Sequence, residues 1–260
     1  MYRYRRAVTL AEIAEEPGLW LPDDGLRELI ALDGLTVASY GASLAAERIR
    51  LQGAAVDRAL RDVRELAKAR RVQEVTWWVG GRSQPDDLEA RLVARGLVLD
   101  PDEPELTTLT VERRPGGAST VEVIRAETFD DYLRALEIDW EVFDLPQARR
   151  DERRAVAPEQ WRRLEASGGV THHLAVIDGR AVAFARTIFT PAGGLMLGGA
   201  TLRSARGLGA YTSLIHARWD AALERGTPGL GTAAGSMSGP ILRRLGFAEH
   251  GRVRLLLDRL

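Results

Sequence analysis

The chain of 260 residues is longer than one small domain needs and suits two domains of roughly 100 to 150 residues. Its 45% apolar and 28% charged residues give a globular composition, and 36 basic against 37 acidic side chains leave a formal charge of -1, so no global field draws it onto nucleic acid or an anionic membrane. Cysteine is absent, which excludes disulfides, thiolate metal sites and cysteine nucleophiles and makes the cytoplasm the expected compartment.

Residues 1–10 are arginine-rich but hold no apolar run of signal-peptide length, and no stretch approaches about 18 uninterrupted apolar residues, so neither export nor a membrane span is expected. Thr9 and Glu12 then form a capping-box pair that opens a short helix. Val56, Ala59, Leu60, Val63, Leu66 and Ala67 fall at helical spacing. Val75 to Val79 reads as a strand, Leu88 to Arg95 as a helix ending at Gly96-Leu97, and Glu105 to Glu112 as a strand. Arg113 to Thr120, with Pro115, Gly116 and Gly117, is the expected linker and divides the chain into 1–117 and 118–260. Thr128 with Asp131 opens the next helix. Val170 to Ile177 and Arg180 to Phe189 flank Asp178-Gly179, a pair suited to a type I′ hairpin. Leu195 to Leu202 is a strand with Gly198 and Gly199 inside it, a pattern that marks a bulge or a close approach to the backbone.

Tyr211, Leu214, Ile215, Trp219, Ala222 and Leu223 then repeat the helical spacing of the first half. A strand at Leu230 to Ala234, a helix at Pro240 to Leu245 ending in Gly246-Phe247, and a strand at Arg252 to Asp258 follow in the same order as before. The chain reads as a diverged tandem repeat of one α/β unit.

Between strand and helix lies Arg203-Ser204-Ala205-Arg206-Gly207-Leu208-Gly209-Ala210. A glycine loop opening a helix is built for an anion: the first backbone N–H groups lack partners, and the dipole favours negative charge. Arg203 and Arg206 add charge. An ordinary strand-to-helix turn is the plain alternative. The loop is neither a Walker A sequence, since no Gly-Lys-Ser/Thr follows, nor Gly-x-Gly-x-x-Gly, since Thr212 stands at the third glycine.

Arg206-Gly207-Leu208-Gly209-Ala210-Tyr211 resembles the signature Gln/Arg-x-x-Gly-x-Gly/Ala of the GCN5-related N-acetyltransferases (GNATs), with Tyr211 in place of the last small residue. The element order over Val121 to Leu260 and the Leu245-Gly246-Phe247 ending are similar to that family. The first half resembles a degenerate copy. The implied fold is α/β (α+β), two tandem GNAT-like domains, each a mixed, mainly antiparallel sheet flanked by helices. Arg50-Leu51-Gln52-Gly53-Ala54-Ala55 meets the short pattern too, and is read as a structural copy rather than a second cofactor site.

The resemblance implies that acetyl-CoA or another acyl-CoA binds with its pyrophosphate on the amides of Arg206, Gly207, Leu208, Gly209, Ala210 and Tyr211. Its pantetheine arm would lie along Gly199, Ala200, Thr201 and Leu202. It implies direct attack by an amine, from a small molecule or a peptide, on the thioester. The tyrosine of the family's Tyr-x-x-Leu-Gly-Phe is Leu242 here, and the usual upstream asparagine is missing. Ser238 is then either a pantetheine ligand and proton relay or a helix cap, and Tyr211 either an acid or a packing residue. Glu137, Asp139, Glu141 and Asp144 are either an amine-attracting, proton-accepting wall, with Glu137 as the base, or a solvated acidic face. His172 and His173, adjacent on a strand, face opposite ways, and no histidine spacing suggests a metal. Trp77, Trp78, Trp140 and Trp219 read as packing. No nucleic-acid or membrane partner is expected, and the chain is a monomer or a homodimer. The rival reading is a catalytically silent acyl-CoA-binding or protein-interaction module.

Overall fold

The computed structural model describes residues 8–25, 27–40 and 43–260; the arginine-rich start, residues 1–7, lies outside them. Helix α1 (Leu10–Glu15) opens on the expected capping box, Thr9 accepting the Glu12 N–H while the Glu12 carboxylate accepts that of Thr9. The first half continues with β1 (Arg27–Leu32), β2 (Leu35–Tyr40), β3 (Ser43–Glu47), α2 (Val56–Ala69), β4 (Glu74–Val79), α3 (Leu88–Val93), the two-residue β5 (Val98–Leu99) and β6 (Glu105–Val111). After the linker come β7 (Glu122–Arg125), α4 (Phe129–Val142), α5 (Gln147–Ser167), β8 (Val170–Ile177), β9 (Arg180–Thr190), β10 (Gly193–Thr201), α6 (Ala210–Glu224), β11 (Leu230–Ala234), α7 (Gly239–Arg244) and β12 (Ala248–Arg259).

Local chemistry accounts for most of these limits. Thr128 caps α4 by accepting the Asp131 N–H, and Asp178 and Gly179, at φ 51° and 73°, turn the β8–β9 hairpin with both central residues left-handed, as the type I′ reading requires. Helix α5 carries no apolar stripe that sequence could show. Only Ala157, Gln160 and Leu164 are buried along its length, and Pro158 interrupts it. Strand β12 starts four residues earlier than its apolar alternation, beyond a bulge between Glu249 and Gly251.

All the strands join one mixed sheet in the order β1-β2-β3-β4-β12-β6-β11-β10-β9-β8-β7, with β5 beside β12. The order is nearly palindromic about the β12–β6 pair: each half presents an antiparallel run and one parallel contact, β3 with β4 and β10 with β11. At the centre the halves exchange strands. Glu105–Val111 of the first half pairs with β11 and places Leu109 and Val111 in the second half's core, with Ile215, Trp219 and Leu242. Residues 254–259 of β12 pair with β4, and Leu256 sits in the first half's core with Val63, Trp77 and Leu92.

In the second half α4 packs on Leu174, Phe184 and Ala200, and α6 on Ala175, Ala183 and Ala185 of the opposite face. Helix α1 crosses from the first half to lie on the α4 side, its Ile13 against Ile188 and Leu195. Among the described residues no helix is long and apolar enough to cross a membrane.

Candidate functional site

Strands β10 and β11 pair only at Gly194–Leu230 and Leu195–Gly231. The Thr232 hydroxyl donates to Met196 O at 2.9 Å, and beyond that point the two strands part. On its other side β10 stays paired to β9 but slips register between Met196 and Gly199. Gly198 sits in that bulge at φ 97°, a conformation that suits glycine. Leu202 N–H donates to Val182 O on the β9 side, so strand alternation turns the backbone groups of Thr201 and Gly199 into the gap. Arg206 Nε reaches Thr201 O there at 3.4 Å, and no strand pairs with this stretch of β10 across the gap, an edge that suits a hydrogen-bonding guest.

The gap runs to the glycine loop. A 3-10 turn, Arg203–Ala205, leads through Arg206 and Gly207 to Gly209, the N-cap of α6. Gly209 adopts φ 89°, has no side-chain cap, and lies so close to Thr120 that a Cβ would sit 2.7 Å from its hydroxyl. A Cβ on Gly207 would meet nothing within 4 Å, so the loop faces open space there. The first N–H groups of α6, at Ala210, Tyr211 and Thr212, thus point out uncapped beside two arginines. Ser213 Oγ accepts the N–H groups of Thr120 and Val121, and His216 Nε2 lies 3.1 Å from Gly117 O, which ties the linker to α6.

Tyr211 and Ser238 meet across the gap. Burial pushes the Tyr211 phenol up, while the Arg218 charge and a hydrogen bond with Ser238 oppose the shift. Ser238 stands at the N-cap of α7, yet its side chain caps nothing. The loop that carries it is held by Glu103 of the first half, whose carboxylate accepts the Ser236 N–H at 3.0 Å. Leu242 is fully buried in the core and offers no polar group.

Beneath the bulge lies Arg218, a residue that sequence reasoning missed. Its guanidinium donates to Gly198 O and, at 3.1 Å, to Arg186 O; burial pulls it down to about 10, so it stays charged at neutral pH. Among the described residues it has no ion pair, and its Nε has no hydrogen-bond partner. The available signal was an arginine on the buried stripe of α6, between Leu214 and Ala222.

The opposite face of the bulge holds a second polar group. Arg186 Nε donates to Leu197 O at 2.7 Å. Around it stand Tyr132 and Asp139 of α4, His172 of β8, and Tyr40 of β2, whose hydroxyl donates to Asp24 at 2.7 Å. Burial raises the Asp139 carboxyl, opposed by Arg186 and Arg153. It raises Tyr40, pushes Tyr132 up to about 12, and pulls His172 down to about 3 and His173 to about 4, so both histidines are neutral at pH 7. Of the acidic residues singled out by sequence, Asp139 is in this group. Glu137 is exposed and paired with Arg154 at 2.8 Å, and Asp144 lies 3.8 Å from Arg203. The structure therefore gathers Arg206 to Tyr211, Gly199 to Leu202 and Ser238 around one gap and leaves Glu137 on the α5 side. Among the described residues no cluster suits a metal.

The equivalent place in the first half is closed. Leu51 N–H donates to Gln84 O and Gln84 N–H to Ile49 O, so the chain fills its own gap, and Arg50 is engaged by Glu16 at 2.7 Å.

No family model matches the chain, and no curated protein matches it. Solved structures do. A GCN5-related N-acetyltransferase from Kribbella flavida superposes with a TM-score of 0.70 at 19% identity, over 97% of this chain and 96% of that one. A tandem GNAT protein from the clavulanic acid biosynthesis pathway gives 0.62 at 18%, over 99% and 89%, and a GCN5-related N-acetyltransferase from Sphaerobacter thermophilus 0.60 at 16%, over 98% and 94%. The chain shares the fold of these proteins over 97% or more of its length.

Proposed function

We propose that the protein is an acyl-CoA-dependent N-acyltransferase that moves an acetyl group from acetyl-CoA to a primary amine, with the site in the second half, 118–260, and the first half, 1–117, as a structural copy. One observation carries this reading: a gap between β10 and β11, free of strand pairing beyond Leu195–Gly231, that leads through the Arg203–Ala205 turn to the uncapped, glycine-lined start of α6. An amide-bearing pantetheine arm matches such an edge as an added strand would, and a pyrophosphate matches the loop.

When bound, acetyl-CoA supplies an activated thioester. The chain's own residues then have separate tasks. The backbone N–H groups at the bulge, fixed from below by Arg218, face the oxygen that gains charge as the amine attacks. Tyr211, kept protonated by its burial, holds the proton for the departing sulfur, with Ser238 as its hydrogen-bond partner. Asp139, with its raised carboxyl and only a long contact to Arg153 at 3.9 Å, takes a proton from the acceptor in preference to the exposed Glu137, which is engaged by Arg154 at 2.8 Å. The silent-module reading draws on one observation, the apolar, fully buried Leu242 where the family's tyrosine is expected.

The test is thermal unfolding with and without acetyl-CoA, beside Arg206→Glu and Gly207→Asp, followed by thiol release with added amines. Ligand at about one hundred times its Kd adds about 2.7 kcal/mol. A stabilisation that either variant removes, with amine-dependent thiol release, is the expected result. Stabilisation without thiol release from any amine selects the silent module, and no stabilisation at millimolar acetyl-CoA rejects both.

A further inference from the structure

Helix α1 belongs to the first half by sequence, yet the buried Leu10 at its start fills a hollow of the second. Cβ atoms built on Gly193, Gly229 and Gly231 would lie 3.2, 3.2 and 2.8 Å from the Leu10 side chain, and the one on Gly231 would also lie 3.2 Å from Leu10 O. Glycine at 231 thus lets the helix lie directly on the strand, and a side chain there would push it away. The hollow is the joint of the fork. Gly194–Leu230 and Leu195–Gly231 are the two residue pairs that join β10 to β11, and beyond the Thr232–Met196 contact the strands part. Two rungs, two of their four residues glycine, make a weak joint. Ile13, one turn further along α1, packs on Ile188 and Leu195, so the helix lies across the closed end of the gap.

The far end of α1 is tied to the first half. Arg82, in the loop after β4, donates its backbone N–H to Glu15 at 2.9 Å and its Nε to the other oxygen of the same carboxylate at 3.1 Å. Its terminal nitrogens reach Glu12 O at 3.0 Å and the Glu12 carboxylate at 2.9 Å. Glu16, 3.5 Å from Arg82, is shared with Arg50 at 2.7 Å, and the turn that follows, Pro17–Trp20, is held through the Gly18 N–H by the buried Glu47 of β3. Six residues are too few for a helix to hold its own shape. Its place is therefore set by these two anchors, one in each half.

We propose that α1 is a strut by which the first half fixes the point where β10 and β11 part, with Leu10 and Arg82 as positioning residues for the acyl-CoA gap. This rests on the acyl-transfer reading for what the gap holds, and goes beyond it in giving residues of 1–117 a share in binding. Leu10 acts through Gly193 and Gly231, Arg82 through Glu12 and Glu15. Without the strut the two rungs carry the joint alone, and fraying below Leu195 or zipping beyond it changes the width that an added strand must match. By linkage, acetyl-CoA in the gap favours the seated helix in turn.

The test measures acetyl-CoA affinity by calorimetry, and amide hydrogen exchange without ligand, on the unaltered protein, Leu10→Ala, Arg82→Gln and Val63→Ala, at a temperature where all are folded. Val63→Ala loosens the first half's core and serves as the control for general destabilisation. Expected is a rise in Kd of about tenfold for Leu10→Ala and about threefold for Arg82→Gln, with faster exchange in 193–202 and 229–234 than in the reference strand β8. Val63→Ala should lower Tm and leave both readouts at the fork unchanged. If Leu10→Ala does not fold, Arg82→Gln, at the half-exposed tether, decides. An unchanged Kd in the α1 variants, or an equal loss in Val63→Ala, overturns the proposal. Should the unaltered protein not bind millimolar acetyl-CoA, the acyl-CoA reading falls and exchange alone judges the strut: acceleration confined to the fork upholds it, and unaltered exchange overturns it.

Discussion

Glu47, at the end of β3, is fully buried and holds the 3-10 turn Pro17–Trp20 in place, its two oxygens accepting the Gly18 N–H at 3.1 and 3.0 Å. Burial, with the nearby Glu16 charge, pushes its carboxyl up from 4.5 to about 8, against the backbone N–H groups of Gly18 and Leu19. In the pH range between those values the folded protein keeps a proton that the unfolded chain has released. Stability from this group is therefore full below 4.5 and is lost as pH rises toward about 8. His172 and His173 work the other way, since both remain neutral in the fold; their contribution is lost as pH falls below 6.5 and is flat above it. Between pH 6.5 and 8 Glu47 thus stands clear of the histidines. At about 1.4 kcal/mol per pH unit the protein loses about 2 kcal/mol across that window. Urea unfolding followed by circular dichroism at four pH values measures it, with the slope against urea checked for constancy. Glu47→Gln, which resembles the protonated acid in shape and hydrogen bonding, should be flat over the same range. A flat response in the unaltered protein, or an unchanged slope in Glu47→Gln, refutes the assignment of a neutral Glu47.

Arg218→Met removes the donors to Gly198 O and Arg186 O but also relieves a buried charge; stability should fall by less than about 2 kcal/mol, while kcat for thiol release falls by about tenfold or more with KM for acetyl-CoA little changed. Steady-state kinetics with the best amine would show this, and an unaffected kcat would remove Arg218 from the positioning of the bulge. Tyr211→Phe should lower kcat by about a hundredfold, and because burial raises the phenol, kcat of the unaltered enzyme should not decline on the alkaline side before about pH 10; a decline centred near pH 8 points to another acid. Fragments 1–117 and 118–260 made separately should be poorly folded by circular dichroism and size exclusion, since β11 and β12 each lose β6, and mixing them during refolding should restore one folded species. Two independently folded fragments would contradict the exchanged sheet.

Much of the glycine loop and its flanking elements was legible because it is local. Gly207 and Gly209 announce a loop, the alternation before them a strand, and the stripe after them a helix, and each of these forms within a few residues of its signal. The β8–β9 hairpin follows from two turn residues. The exchange of β6 and β12 was not legible, since the apolar alternation of each strand fits either neighbour and only packing across the whole chain selects one. Helix α5 escaped because its charge is spread round the helix. Asp24 and Tyr40 could not have been linked to Tyr132 and Arg186 from sequence, because a loop and a strand end of one half come near a helix and a strand of the other. Arg186 and Arg218 were readable in principle, Arg186 standing between Phe184 and Ile188 on one face of β9 and Arg218 between Leu214 and Ala222 on the buried stripe of α6.

The exchanged strands also set an order of events for folding. Strand β4 has β3 on one side but can gain its second partner only once residues 254–259 have been synthesised; Arg259 reaches Glu74 across 185 positions of sequence. Until then the first half waits with an open edge. Contacts of such long range slow folding and expose strand edges to wrong neighbours, a situation in which chaperone binding has time to act. Once β12 is seated it works as a clasp: opening either half pulls on the core of the other. The two halves, however alike, should therefore melt together.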